Sequence, residues 1–215
     1  MIYSFFRPLL SLHLYNINDN TPFSKLQSLI SSDSIQPPKM PPQHGETDPA
    51  ILSQWEKDLK DVRLLYDYDA KDAHGKPEKW RYEMYCAHPT LIIYAIHGGP
   101  MAGRQNYQRC SYQCLRAGEL WQVNWLEETG TVCSLVYDIP LGKISTLIAF
   151  SQGHWEQAEQ AHGDKRNEED FERWRGLARI GGQTDRVLLN KQAEVVEMSR
   201  GRGSLGWVEE GVETL

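Results

Sequence analysis

The chain has no long apolar run, no excess of positive charge and few cysteines, and each absence closes a class of function. No apolar stretch approaches the roughly 18 residues that a membrane-spanning helix needs. Lys and Arg number 23 against 29 Asp and Glu, a formal net charge of −6. A nucleic-acid surface would instead need clustered cations to neutralise phosphates. The one basic cluster, Arg200 and Arg202 between glycines, reads as part of a solvated tail. The four cysteines, Cys86, Cys110, Cys114 and Cys133, form no paired Cys-x-x-Cys array. Cys110 and Cys114 could be half of a metal site, but the other half is missing. Free thiols in a reducing, cytoplasmic setting are the simpler reading. His97 to Arg104 carries three glycines without the Lys-Ser or Lys-Thr of a phosphate loop. His154 and His162 lack the spacing of a helical zinc motif and read as surface residues.

What is present suits one folded domain. Hydrophobic residues make up 40% of the 215, enough for a core. Residues 1–47 read as a disordered or non-native extension, with Ser, Pro and Gln gathered over Ser31–Gln43 and Met40 as the expected natural start. Residues 48–200 read as the folded domain and 201–215 as a C-terminal tail. Asp48-Pro49 before Ile51, Leu52, Trp55 and Leu59 has the form of a capped leading helix.

After Val62 the apolar period changes from 3.6 to 2. Strands are expected over 63–69, 79–87, 90–97, 105–115, 119–126, 131–138 and 143–150, with a last one over 185–198. A helix from Asn167, carrying Phe171, Trp174, Leu177 and Ala178 on its apolar stripe, should interrupt the run and stop at Gly181-Gly182. Many short strands at hairpin spacing favour an antiparallel barrel or sandwich.

Strand parity selects the residues that share a surface. Leu64, Tyr66 and Tyr68 fall on one face of the first strand, and Trp80, Tyr82 and Met84 on one face of the second. These tyrosines read either as core residues with rim-seeking hydroxyls or as ligand contacts. Trp121, Val123 and Trp125 form the apolar face of a later strand, and the same parity carries Glu127 inward. A carboxyl there would lose hydration, which favours its neutral form and suits a general acid. The alternative is that the strand has ended and Glu127 is a turn residue in water. Arg104 opens another strand with a guanidinium free to grip a carboxylate.

At these residues the chain resembles the phenolic acid decarboxylases, also called ferulic or p-coumaric acid decarboxylases. The resemblance is carried by Tyr66-x-Tyr68, Trp80-x-Tyr82-Glu83-x-Tyr85, Tyr94-x-Ile96-His97-x-Gly99, Met101-x-Gly103-Arg104 and Val123-x-Trp125-x-Glu127-x-Thr129-Gly130-Thr131. It implies a mainly β fold, an antiparallel lipocalin-like β-barrel with a few peripheral helices, in a homodimer that uses neither cofactor nor metal. It implies a small phenolic acid as substrate, p-coumaric, ferulic or caffeic, which loses CO₂ to give a 4-vinylphenol. By position it implies Glu127, Arg104, Tyr66 and Tyr68 as catalytic residues and Tyr82 as a further pocket tyrosine. Tyr94, Thr131 and Trp125 are expected beside them as substrate contacts. The chain departs from the family's pattern in a longer hairpin over Ala70–Glu78, at Gly98, Pro100 and Gln105, and over Ser151–Trp155. A lipocalin-like carrier of aromatic ligands, and a hydratase or isomerase of the same acids, are the competing readings.

Overall fold

The computed structural model describes residues 48–215; the extension expected over residues 1–47, with its start at Met40, lies outside the described residues. Helix α1 (Pro49–Asp58) begins as its sequence dictates: the Asp48 carboxylate accepts from the Ala50 amide at 2.8 Å, with proline at the first helical position.

Seven strands then follow by hairpins: β1 (Val62–Lys71), β2 (Pro77–His88), β3 (Leu91–Ile96), β4 (Arg104–Arg116), β5 (Leu120–Leu126), β6 (Val132–Asp138) and β7 (Lys143–Ser151). A two-residue β8 (Gly163–Asp164) and the long β9 (Arg186–Arg200) complete the sheet. β9 pairs antiparallel with both β1 and β7, and β3 pairs with β4. Every strand except β8 thus belongs to a closed antiparallel barrel, while β8 lies parallel to the start of β4. Between β7 and β9 the chain forms α2 (Gln152–Glu156), a 3-10 turn at Ala158–Ala161 and α3 (Glu168–Leu177). The expected strands differ from these by no more than two residues at either end. The small elements α2 and β8 have too few residues to show a period.

Alternation holds on β5, β6 and most of β7. β5 and β6 bury every second residue, Trp121, Val123 and Trp125 on one, Cys133, Leu135 and Tyr137 on the other. The two ends of the interior differ. At one end α1 lays Trp55 and Leu59 on the core, with the Trp55 ring edge-on to Tyr112 at 5.9 Å. There Asp58 accepts from Trp121 Nε1 and from the Gly118 amide, both at 2.8 Å. At the other end lie the start of β4, the ends of β5 and β7, and the segment of α2 and α3 with buried His154, Ala161, Trp174 and Leu177.

Residues after β9 correct the expectation of a solvated tail. Arg200 and Arg202 are exposed, but Leu205 and Val208 are buried against Tyr85, Leu91, Ile93, Ala95 and Tyr107 on the outer wall. The cue was in β3, Leu-Ile-Ile-Tyr-Ala-Ile, which is buried at all of its positions. A strand that is apolar on both faces needs a cover on each. No described helix is long and apolar enough to cross a membrane.

Candidate functional site

A cavity enclosing about 480 Å³ of empty space, its mouth included, opens at the α2–α3 end of the barrel. All eight residues singled out by sequence line it: Tyr66, Tyr68, Tyr82, Tyr94, Arg104, Trp125, Glu127 and Thr131. Met84, Ile96, Met101, Leu135, Ile148 and Phe150 supply much of the apolar remainder. The mainly apolar wall with a few polar groups is that of a small-molecule site.

Three tyrosines sit together on one wall. The Tyr66, Tyr68 and Tyr82 rings lie 5.4 to 5.9 Å apart, Tyr66 stacked on Tyr82 and Tyr68 edge-on to both. Tyr68 places its hydroxyl 2.6 Å from Thr146 Oγ1. Burial pushes all three phenols far above their ordinary range, so they enter any chemistry as neutral hydrogen-bonding groups.

Glu127 sits one step past the last inward tryptophan and is 5% exposed, so the inward reading holds over the solvated turn. The turn that places it closes through the Glu127 amide onto the Thr131 carbonyl at 2.9 Å and the Gly130 amide onto the Glu127 carbonyl at 2.8 Å. Gly130 has φ +79°, which a residue with a Cβ rarely adopts. Oε1 of Glu127 accepts from the Tyr94 hydroxyl and from Trp125 Nε1 at 3.2 Å, with Cys133 Sγ at 3.8 Å. Oε2 accepts from Arg104 Nη2 at 3.2 Å and Thr129 Oγ1 at 3.4 Å. Burial and the neighbouring carboxylate push the Tyr94 phenol far up.

Arg104 is 1% exposed and belongs to both the cavity and the layer behind it. Its guanidinium lies 3.8 Å from the centre of the Trp174 ring, donates to the Ala161 carbonyl at 3.0 Å and also meets Glu128. Burial opposes its charge, but Tyr94, Glu128 and Glu127 together hold the guanidinium protonated.

Several residues of the site escaped the sequence reading. His154, read as a surface residue, is 2% exposed and lines the cavity, because the five-residue α2 turns it under the barrel mouth. Burial, with Arg104 adding to it, lowers its pKa well below the ordinary value, so the ring is neutral. Its Nδ1 lies 2.7 Å from Thr131 Oγ1 and 3.0 Å from Thr129 Oγ1. Thr131 Oγ1 also accepts from the Ser151 amide at 3.3 Å. That Nε2 has no partner among the described residues. Glu128, in the turn between β5 and β6, is buried as well. Asn106 and Gln108 share the inward parity of Arg104, and that signal could have found them; both are buried. His97 and Glu83 stand apart from the cavity lining: His97 Nε2 is 2.8 Å from Glu83 Oε2 on the outer wall.

The model of the phenolic acid decarboxylase family matches residues 59–173, just over half of the chain. The chain belongs to the phenolic acid decarboxylase family. The matched range contains every residue of the site in this decarboxylase-family chain and ends before β9. A curated protein of Vibrio cholerae serotype O1, described as a "probable phenolic acid decarboxylase", is 29% identical over 76 residues. That match covers 35% of this chain and spans about two fifths (39%) of the relative. A crystal structure described as "a putative beta-lactamase from Burkholderia vietnamiensis" aligns over 64% of this chain and 91% of that one, at 12% identity. Its TM-score of 0.37 is too low to bear on fold or function. Among the described residues no group of three or more His, Cys, Asp and Glu is placed to hold a metal ion.

Proposed function

We propose that the protein decarboxylates phenolic acids, and specifically that it converts p-hydroxycinnamic acids such as p-coumaric, ferulic and caffeic acid to 4-vinylphenols without a cofactor. The observation that carries this reading is Glu127, a buried carboxyl in an aromatic cavity, ringed by Tyr94, Trp125 and Arg104. Direct loss of CO₂ from a cinnamate would strand a pair of electrons on a vinyl carbon. Protonation of the α-carbon avoids this. The phenol of the substrate gives up its proton, its electrons move through the ring, and the side-chain double bond takes a proton from Glu127 at the α-carbon. The product is a quinone methide whose carbonyl is an electron sink. The bond to the carboxylate then breaks, its electron pair rebuilds the vinyl double bond and the aromatic ring, and CO₂ leaves. The product is left as a phenolate; the proton that the phenol released to solvent returns to it, and a second solvent proton restores Glu127, so one proton is consumed for each CO₂ released. In this scheme the substrate does the work that a bound cofactor does elsewhere.

Arg104 and the tyrosines would hold the polar ends of the substrate and stabilise charge as it moves. His154, whose Nε2 has no partner among the described residues, adds a polar group to the lining. A carrier would share the greasy cavity but gains nothing from a buried carboxyl beside a guanidinium. The test is turnover of the three acids, read as loss of the conjugated ultraviolet band and release of CO₂. Glu127→Gln should bind p-coumarate and lose turnover by about a hundred-fold or more, the scale of a general acid. Near-normal turnover in that variant, or product that retains the carboxyl carbon, would refute the reading.

A further inference from the structure

Glu128 follows Glu127 in the chain but faces away from the cavity lining, into a second polar layer. Its side chain has no exposed surface. The carboxylate accepts from Arg104 Nη2, from Asn106 Nδ2 at 3.2 Å, from Gln108 Nε2 and from Lys165 Nζ at 2.9 Å. Lys165 is fully buried too. Its ammonium also meets the Tyr107 carbonyl at 3.0 Å, Gln108 Oε1 at 3.1 Å and the Thr214 carbonyl of the C-terminal segment at 2.7 Å, with the Tyr107 and Phe171 rings alongside. Neither Glu128 nor Lys165 lines the cavity.

A buried lysine–glutamate pair is poor value as a stability device, since apolar side chains of similar volume often do as well. Its charge has another use. Glu127 and Glu128 both lean on the guanidinium of Arg104. With Lys165 beside Glu128, the set of Arg104, Glu128 and Lys165 presents one net positive charge to Glu127; without it the set would be neutral. The other groups that face Glu127 from β3, β5, β6, the β5–β6 turn and α2 are Tyr94, Trp125, Cys133, Thr129 and His154. Burial keeps Tyr94, Cys133 and His154 neutral.

We infer that Glu128 and Lys165 are positioning residues, which set the charge that Arg104 presents to Glu127, with the Thr214 carbonyl holding Lys165 in place. This rests on the reading of Glu127 as the proton donor. The test is the pH profile of kcat/KM on p-coumarate for the full chain, Lys165→Met, Glu128→Gln and the double variant. The net charge of the set is +1, 0, +2 and +1 in that order. The limb governed by Glu127 should move to higher pH in Lys165→Met and to lower pH in Glu128→Gln, each by on the order of one unit for one charge within about 10 Å. The double variant should return to the position of the full chain, and Lys165→Arg, which keeps the charge, should not move. Carboxyl ¹³C titration of Glu127, assigned by its loss in Glu127→Gln, reads the same pattern without needing turnover. Should the full chain release no CO₂, the proposed function falls, while the titration still decides the pairing. Shifts in one common direction, or no shift in any folded variant, would overturn the inference and leave the pair a structural feature.

Discussion

The two ends of the barrel interior solve one problem in opposite ways. At the α1 end, Trp55, Tyr112 and Trp121 fill the space with rings, and one carboxylate, Asp58, satisfies Trp121 Nε1 from the rim. At the α2–α3 end the same cylinder takes in Glu127, Glu128, Arg104 and Lys165 and leaves a cavity beside them. Apolar packing needs only shape, whereas buried charge is stable only when each member has its partners. The closed end should therefore respond to mutation in stability alone, and the open end in both stability and chemistry.

The sharpest break in that contrast is Arg104→Met. It leaves two buried carboxylates without their shared guanidinium, so we expect a loss of about 3–5 kcal/mol, the scale for breaking a buried pair, together with loss of turnover. Urea unfolding and the decarboxylation assay check both parts. Trp121→Ala at the other end should cost about 3–5 kcal/mol through the cavity it opens, with turnover per folded molecule unchanged. A fall in kcat beyond the unfolded fraction would show that the ends are not independent. A smaller effect should come with acid. Burial alone would raise the Glu128 pKa, but Arg104 and Lys165 hold it at about 2 against an ordinary 4.5. Its contribution is therefore complete above about pH 4.5 and lost as the pH falls toward 2, where the unfolded chain takes up a proton that the folded one refuses. Urea midpoints at pH 6, 4 and 3 should fall less steeply in Glu128→Gln; parallel slopes would contradict this origin.

Strand parity made much of this legible. It put Tyr66, Tyr68, Tyr82 and Trp125 on inner faces and carried Glu127 inward past the last strand residue, because a two-residue period survives one step into a turn. It stopped there. Glu128 lies within the turn, where backbone direction no longer follows the pleat, and Lys165 lies in a connection after β8, so no period relates them to Arg104. His154 was misplaced because α2 has five residues, less than two helical turns, and shows no amphipathic stripe. Asn106 and Gln108 were within reach: parity with Arg104 marks them, but polar side chains do not announce a core. The packing of the C-terminal segment was hinted at only by the two-faced apolar run of β3.

Closure by β9 has a consequence for how the molecule is made. β1 emerges from the ribosome long before the strand that covers its outer edge, and β7 also waits for β9. Until about Arg200 is synthesised, the sheet has two open edges, the kind that neighbouring chains can extend into aggregates. Barrel closure thus waits on β9, and yield during expression should depend on temperature and on chaperone supply more than on the finished fold's stability.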